Sequence, residues 1–178
     1  MEKFISKRRQ ITGGLLQKGL HLVTITEVSK KNARSIKDAY EDETPQIEVK
    51  FKNDKGVINH WFNLKGYMSL ADLEEAGQEV PEGYDIRSSG NGKSENYLVN
   101  IATGHRLENP DKTDKAVEIF LNFANDAGIP VDEEFAPADL IGLTVGISVE
   151  NKAGSESVRI KFFCNERRYE ELLEKANA

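Results

Sequence analysis

The residues of this chain that could do chemistry are cations and aromatic rings rather than metal ligands or nucleophiles. Its three histidines, His21, His60 and His105, and its one cysteine, Cys164, stand far apart, and no pair has the spacing of HExxH or CxxC. Gly90-Asn91-Gly92-Lys93-Ser94 ends in GKS. The upstream glycine spacing of a phosphate-cradling loop is missing, however, and no parallel βα unit surrounds it. Asp132, Glu133 and Glu134 read as a solvated loop before Phe135 rather than a carboxylate metal centre. No GxSxG, Walker or GxGxxG pattern is present. These absences predict a protein that is not an enzyme, with no catalytic residue, no metal site and no cofactor.

The remaining set fits binding. Lys30, Lys31, Arg34, Lys37, Lys50, Lys52, Arg159 and Lys161 supply positive charge, and Trp61, Phe163, Tyr40 and Tyr97 supply rings. Proteins that hold single-stranded nucleic acid combine cations that track phosphates with exposed rings that stack on bases. Phe163 has two readings, a stacking ring or a ring buried under a C-terminal helix. Tyr67 and Tyr84 read as packing residues.

These side chains need a scaffold, and the clearest one is Pro45 to Leu64. Ile47, Val49 and Phe51 alternate with Gln46, Glu48, Lys50 and Lys52, the period of a strand with one dry and one wet face. Asn53-Asp54-Lys55-Gly56 is turn chemistry. A second alternating run follows, with Ile58, His60, Phe62 and Leu64 against Val57, Asn59, Trp61 and Asn63. Pairing Lys52 with Val57 and Phe51 with Ile58 gathers the apolar residues on one side. Trp61 and Asn59 then share the other face with Glu48, Lys50 and Lys52. A slip of one residue, or a bulge after Gly56, would bury Trp61 instead. His60 reads as a satisfied histidine at a barrel end.

Residues 1–18 read as a flexible or loosely docked basic arm. A first strand is predicted over Leu20 to Val28, then a loop from Ser29 to Thr44, basic in its first half and acidic in its second. The stretch 65–107 is an irregular insertion, a flap or small subdomain. It holds a short helix at Ser69 to Ala76 and a turn at Thr103-Gly104. Lys112 to Ala127 is an amphipathic helix with Ala116, Val117, Phe120, Phe123, Ala124 and Ala127 on its apolar stripe. Strands follow at Leu143 to Val149 and around Val158 to Cys164. In the last, Val158, Ile160, Phe162 and Cys164 face one way and Arg159, Lys161 and Phe163 the other. A charged helix ends the chain within 165–178, with Leu172 and Leu173 as its anchors.

The chain has 178 residues and a net charge of −6, with no apolar run near the ~20 residues that span a bilayer. The stretch MEKFISKRRQITGG has no apolar segment or small-residue cleavage site, so no export signal is expected, and a single cysteine predicts no internal disulfide. The expectation is a soluble cytoplasmic protein with no membrane partner. An acidic balance argues mildly against a polyanion, but from Met1 to Lys37 the bases far outnumber Glu2 and Glu27.

Strand, hairpin, helix, hairpin is the order of a five-stranded OB-fold barrel, an all-β core with its helix between strands three and four. The predicted domain is 19–164. The chain also resembles phage-encoded OB-fold single-stranded DNA-binding proteins of replication and recombination modules. The resemblance is carried by LHLVTITEV after Gly19, SKKNAR, the pair IEVKF and HWFNL, IFLNFANDAGIP, and DLIGLTVGISVE followed by VRIKFF. It implies sequence-tolerant single-stranded DNA binding in the host cell, with phage or host replication proteins as further partners. The C-terminus lacks the acidic tip ending in a hydrophobic residue that bacterial single-strand binders use. The alternative is a protein-interaction OB module with little or no nucleic-acid binding.

Overall fold

The computed structural model describes residues 14–33, 44–88 and 95–178. Among the described residues, seven strands, three α-helices and one 3-10 turn follow in order: β1 (Gly19–Ala33), β2 (Thr44–Asn53), β3 (Gly56–Asn63), α1 (Leu70–Glu75), β4 (Tyr84–Ser88), β5 (Asn96–Asn100), α2 (Pro110–Asp126), the turn Pro137–Leu140, β6 (Thr144–Asn151), β7 (Val158–Cys164) and α3 (Glu166–Asn177). Five strands form one sheet in the order β3-β2-β1-β6-β7, and β4 and β5 form a separate pair. Contacts divide the chain into two compact units. One takes in the described part of Met1–Ser29, with Glu48–Trp61 and Leu121–Ala178. The other is Lys30–Ile47 with Phe62–Phe120.

The period-two residues of β2 and β3 behave as their spacing predicts. Ile47, Val49, Phe51, Ile58 and Phe62 are buried. The turn is Asp54-Lys55, with the Asn53 side chain accepting from the backbone N–H groups of Lys55 (2.8 Å) and Gly56 (3.2 Å). At the far end the Leu64 N–H donates to the Pro45 carbonyl at 2.9 Å, and Gln46 meets Asn63. Both ends obey one register, so no bulge interrupts the pair. Lys52 lies opposite Val57, and Glu48 opposite Trp61.

In the first unit, β1 pairs antiparallel with β6 from Gly19↔Val149 to Thr24↔Thr144. The sheet curls enough that side chains of its edge strands meet. The His60 ring on β3 stands edge-on to Phe163 on β7, with centroids 5.2 Å apart. Phe163 also packs on Phe51 (5.7 Å) and Phe123 (4.8 Å), and Phe123 stands perpendicular to Phe51 at 5.8 Å. Edge-to-face ring pairs contribute ~0.5–1.5 kcal/mol beyond their buried area. This cluster, with Val23, Ile25, Leu140, Val145 and Ile147, is the core of the unit.

Three expectations need correction here. Of the predicted arm 1–18, residues 1–13 lie outside the described residues, and Gly14 to Lys18 are docked rather than loose. Leu16 is buried, its N–H donates to the Val57 carbonyl, and the Val57 N–H donates to the Gly14 carbonyl. The first strand runs on to Ala33, so Lys30 and Lys31 stand on a strand and not in a loop. On β7, Ser148 pairs with Phe162 but Val149 with Ile160, so Lys161 is an extra residue. That bulge reverses the faces beyond it. Ile160 and Phe163 point inward, Phe162 is exposed, and Cys164 lies on the outer face beside Gly146. There α3 covers it, because a Cβ on Gly146 would stand 2.6 Å from Cys164 Sγ and 2.8 Å from Tyr169 Cβ. Tyr169 therefore anchors α3, whereas Leu173 is 37% exposed.

In the second unit the insertion is a small subdomain rather than a flap. Ser69 caps α1 in a reciprocal capping box with Asp72. Strands β4 and β5 pair from Tyr84↔Asn100 to Ser88↔Asn96. Gly66 holds the whole against the first turn of α2: its carbonyl accepts from the Asn109 N–H (2.9 Å), and its N–H donates to Thr113 Oγ1 (3.0 Å). Helix α2 opens at Pro110, two residues before the predicted start, because the Asn109 side chain caps Asp111 and Lys112.

Candidate functional site

The outer face of β2 and β3 in the first unit holds the residues singled out for binding. Trp61 is 49% exposed, although it is the largest side chain in the hairpin. The Glu48 opposite it is buried, and Lys50 Nζ lies 4.0 Å from that carboxylate. Lys50 also reaches across to Glu27 on β1 at 3.3 Å. A lysine between two carboxylates presents little net charge to a ligand. Lys52 and Asn59 are exposed. Two acids, Glu27 and Glu48, thus stand with two lysines, Lys50 and Lys52, and the face is neutral overall.

The β6–β7 candidates are split. Arg159 is held by Glu150, Nε to Oε1 at 2.8 Å, across the antiparallel pair Glu150↔Arg159. Lys161 is exposed at the bulge. Phe163 is half-buried in the ring cluster, neither an open stacking platform nor a residue under α3. Burial among these rings holds the His60 pKa below its usual value.

In the second unit, Lys30 and Lys31 border a cleft with Pro45, Gln46 and Leu64. Tyr97 is half-buried and donates from its hydroxyl to Glu95 at 2.6 Å. Burial first, and then Glu95, push its pKa up to about 12. Its ring shares the Arg106 guanidinium with Tyr67, at 5.8 Å and 3.5 Å from the two centroids. Tyr97 is thus a packing residue of the insertion, and the residue that organises it, Arg106, carries no spacing signal in the sequence. Beside it, Asp72 takes a 2.6 Å ion pair from Lys112. Partial burial would raise the Asp72 pKa, but the hydrogen bonds from Lys112 and Ser69 outweigh it and hold the pKa at about 2.

Arg34, Lys37 and Tyr40 lie outside the described residues. The Glu27–Lys50 pairing is the feature that sequence reading missed, since it joins strands whose register no local pattern reveals. Among the described residues, no group of three or more His, Cys, Asp and Glu could hold a metal ion, and no helix is long and apolar enough to cross a membrane. No family model matches the chain, and no curated protein matches it either.

Proposed function

We propose that this chain is a sequence-tolerant single-stranded DNA-binding protein of a phage replication or recombination module, built on an OB-fold. The sheet order β3-β2-β1-β6-β7 supports the fold, since it is that of an OB barrel opened between its third and fifth strands, with α2 ahead of the fourth. The observation that carries the function is Trp61, held outward on the β2–β3 face by an unbroken register. Strands two and three are the surface on which OB-folds take oligonucleotides. An indole there offers a π-face that any base can use, and Lys52 supplies a cation to the phosphates.

The neutral charge of the face favours a second reading, a protein-interaction module that makes little use of nucleic acid. Titration with a fluorescent oligothymidylate at two salt concentrations decides between them. Single-stranded DNA binding requires saturable quenching of Trp61 and weaker affinity at the higher salt. A titration in which neither the label nor Trp61 responds at low salt sinks it.

A further inference from the structure

A sheet edge leaves backbone N–H and C=O groups unpaired, and proteins block it with a bulge, a proline or charged side chains. The two edges of the five-stranded sheet differ in this. Strand β7 carries the bulge at Lys161, with Arg159 and Lys161 as cations. Strand β3, reading GVINHWFN, has no Lys, Arg, Asp, Glu or Pro. Both backbone groups of Val57 bond to Gly14 and Leu16, away from β2, whereas the Leu64 N–H bonds to Pro45 at the start of β2. The direction alternates along a strand, so the N–H and C=O groups of Asn59 and Trp61 also point away from β2. Among the described residues, only the segment Gly14 to Leu16 pairs with that edge, and only at Val57.

An open edge without charge suits an extended strand, and the surroundings favour one of the same kind. Trp61 stands opposite Glu48 and Asn59 opposite Lys50, and Lys50 Nζ lies 4.0 Å from the Glu48 carboxylate. A charged peptide finds no opposite net charge there, while a second β3 brings no like charge against it. Antiparallel self-pairing is two-fold symmetric. Centred on Trp61, it sets one indole directly opposite the other, a favourable cross-strand pair. The register centred on His60 is blocked, because it carries the second strand onto Val57, where Gly14 to Leu16 sit. Centred on Trp61, the second β3 ends at its Asn63 before reaching Val57.

We propose that β3 pairs with the β3 of a second copy, antiparallel and centred on Trp61, to make a reversible dimer. Opposed side chains of an antiparallel pair share a face, so the two-fold axis stands perpendicular to the sheet. Both outer faces then point the same way, with the two indoles at the centre of one surface. A short pairing and two rings fall short of a permanent interface, so the dimer forms and dissociates with concentration. The inference stands on the strand edge and does not rest on the single-stranded DNA reading.

Sedimentation velocity over a range of concentrations tests it, with oligothymidylate titrations of Trp61 emission in parallel. A monomer–dimer equilibrium is expected. Asn59→Pro removes an outward N–H from each copy without removing a bond to β2. It should raise the dimer dissociation constant by about tenfold or more and keep the melting temperature within a few degrees. Trp61→Cys sets two Cα atoms about 5.5 Å apart across the pair, a separation that a disulfide spans. Mild oxidation should link that variant into a covalent dimer. The two copies of Asn59→Cys stand about 14 Å apart in the same register and should not link. Neither should the unaltered chain, whose Cys164 is buried. A chain that stays monomeric at every concentration overturns the pairing, and so does a dimer that Trp61→Cys fails to link or that Asn59→Cys links equally well. Oligothymidylate quenching of Trp61 in such a monomer leaves the DNA reading standing. A dimer with the expected linking and no response to oligonucleotide keeps the pairing and removes the DNA reading.

Discussion

Single side chains decide whether the β2–β3 face binds or only packs. Trp61 is exposed and the ring cluster lies on the opposite side of the sheet, so Trp61→Ala removes little from the core. The variant should keep its melting temperature within a few degrees and lose ~1–3 kcal/mol of single-stranded DNA affinity for each base stacked on the ring. A large drop in melting temperature would show that the indole supports the fold instead. His60 makes the complementary prediction, about stability and pH. Above its ordinary pKa of 6.5 the ring is neutral in both folded and unfolded chains. Below that, the unfolded chain takes up a proton that the buried ring resists, so stability falls as pH drops from 6.5 toward the lowered pKa. Thermal melts at pH 7.5 and 5.5 should differ, and His60→Leu should remove most of the difference. Asp72 acts in a separate window: its stabilisation is complete above 3.8 and is lost as pH falls through about 2.

At the scale of elements, alternation told the strands from the helix but not their irregularities. Ile47, Val49 and Phe51 are buried as their spacing requires, because a strand with one dry face leaves that mark in any sequence. The β7 bulge leaves none. Val158 to Cys164 alternates smoothly on paper, and only the ladder with β6 shows that Lys161 is extra and that Phe162 and Phe163 have exchanged sides. The exchange took Phe163 from the candidate site into the core and placed Cys164 under α3. Gly146 was equally silent as a letter, yet Tyr169 seats where its side chain would be. Gly146→Ala should therefore lift α3 from β6. The cost should be ~1–3 kcal/mol, the range for overpacking a filled site. Cys164, the chain's one cysteine, is buried, and burial followed by the nearby Asp126 pushes its thiol pKa up. It should react slowly with a disulfide reagent in the native protein and much faster in Gly146→Ala. Unchanged labelling would show that α3 does not need this seat.

For the molecule as a whole, charge is the quantity that sets how it could meet DNA. Its 24 Lys and Arg are outnumbered by 30 Asp and Glu, and several cations in the described residues are already engaged. Counterion release gives single-stranded DNA a log-log salt slope of about −0.7 for each phosphate neutralised. Lys50 between Glu27 and Glu48, and Arg159 on Glu150, should add little to that slope. Binding by this protein should thus owe more to stacking than is usual, and depend only weakly on salt. Glu27 gives the direct test. It is exposed, so the 3.3 Å ion pair that it makes with Lys50 adds at most ~1 kcal/mol to stability, and Glu27→Gln should fold normally. The substitution leaves Lys50 with only the more distant Glu48, at 4.0 Å, and removes one negative charge beside the face. Binding at low salt should tighten several-fold and the slope should steepen by up to about 0.7, with the gain fading as salt screens the charges. The same substitution in a Lys50→Gln background should tighten binding less and leave the slope unchanged. If Glu27→Gln alters neither affinity nor slope, phosphates do not pass Lys50, and the strand face is not the path of the DNA.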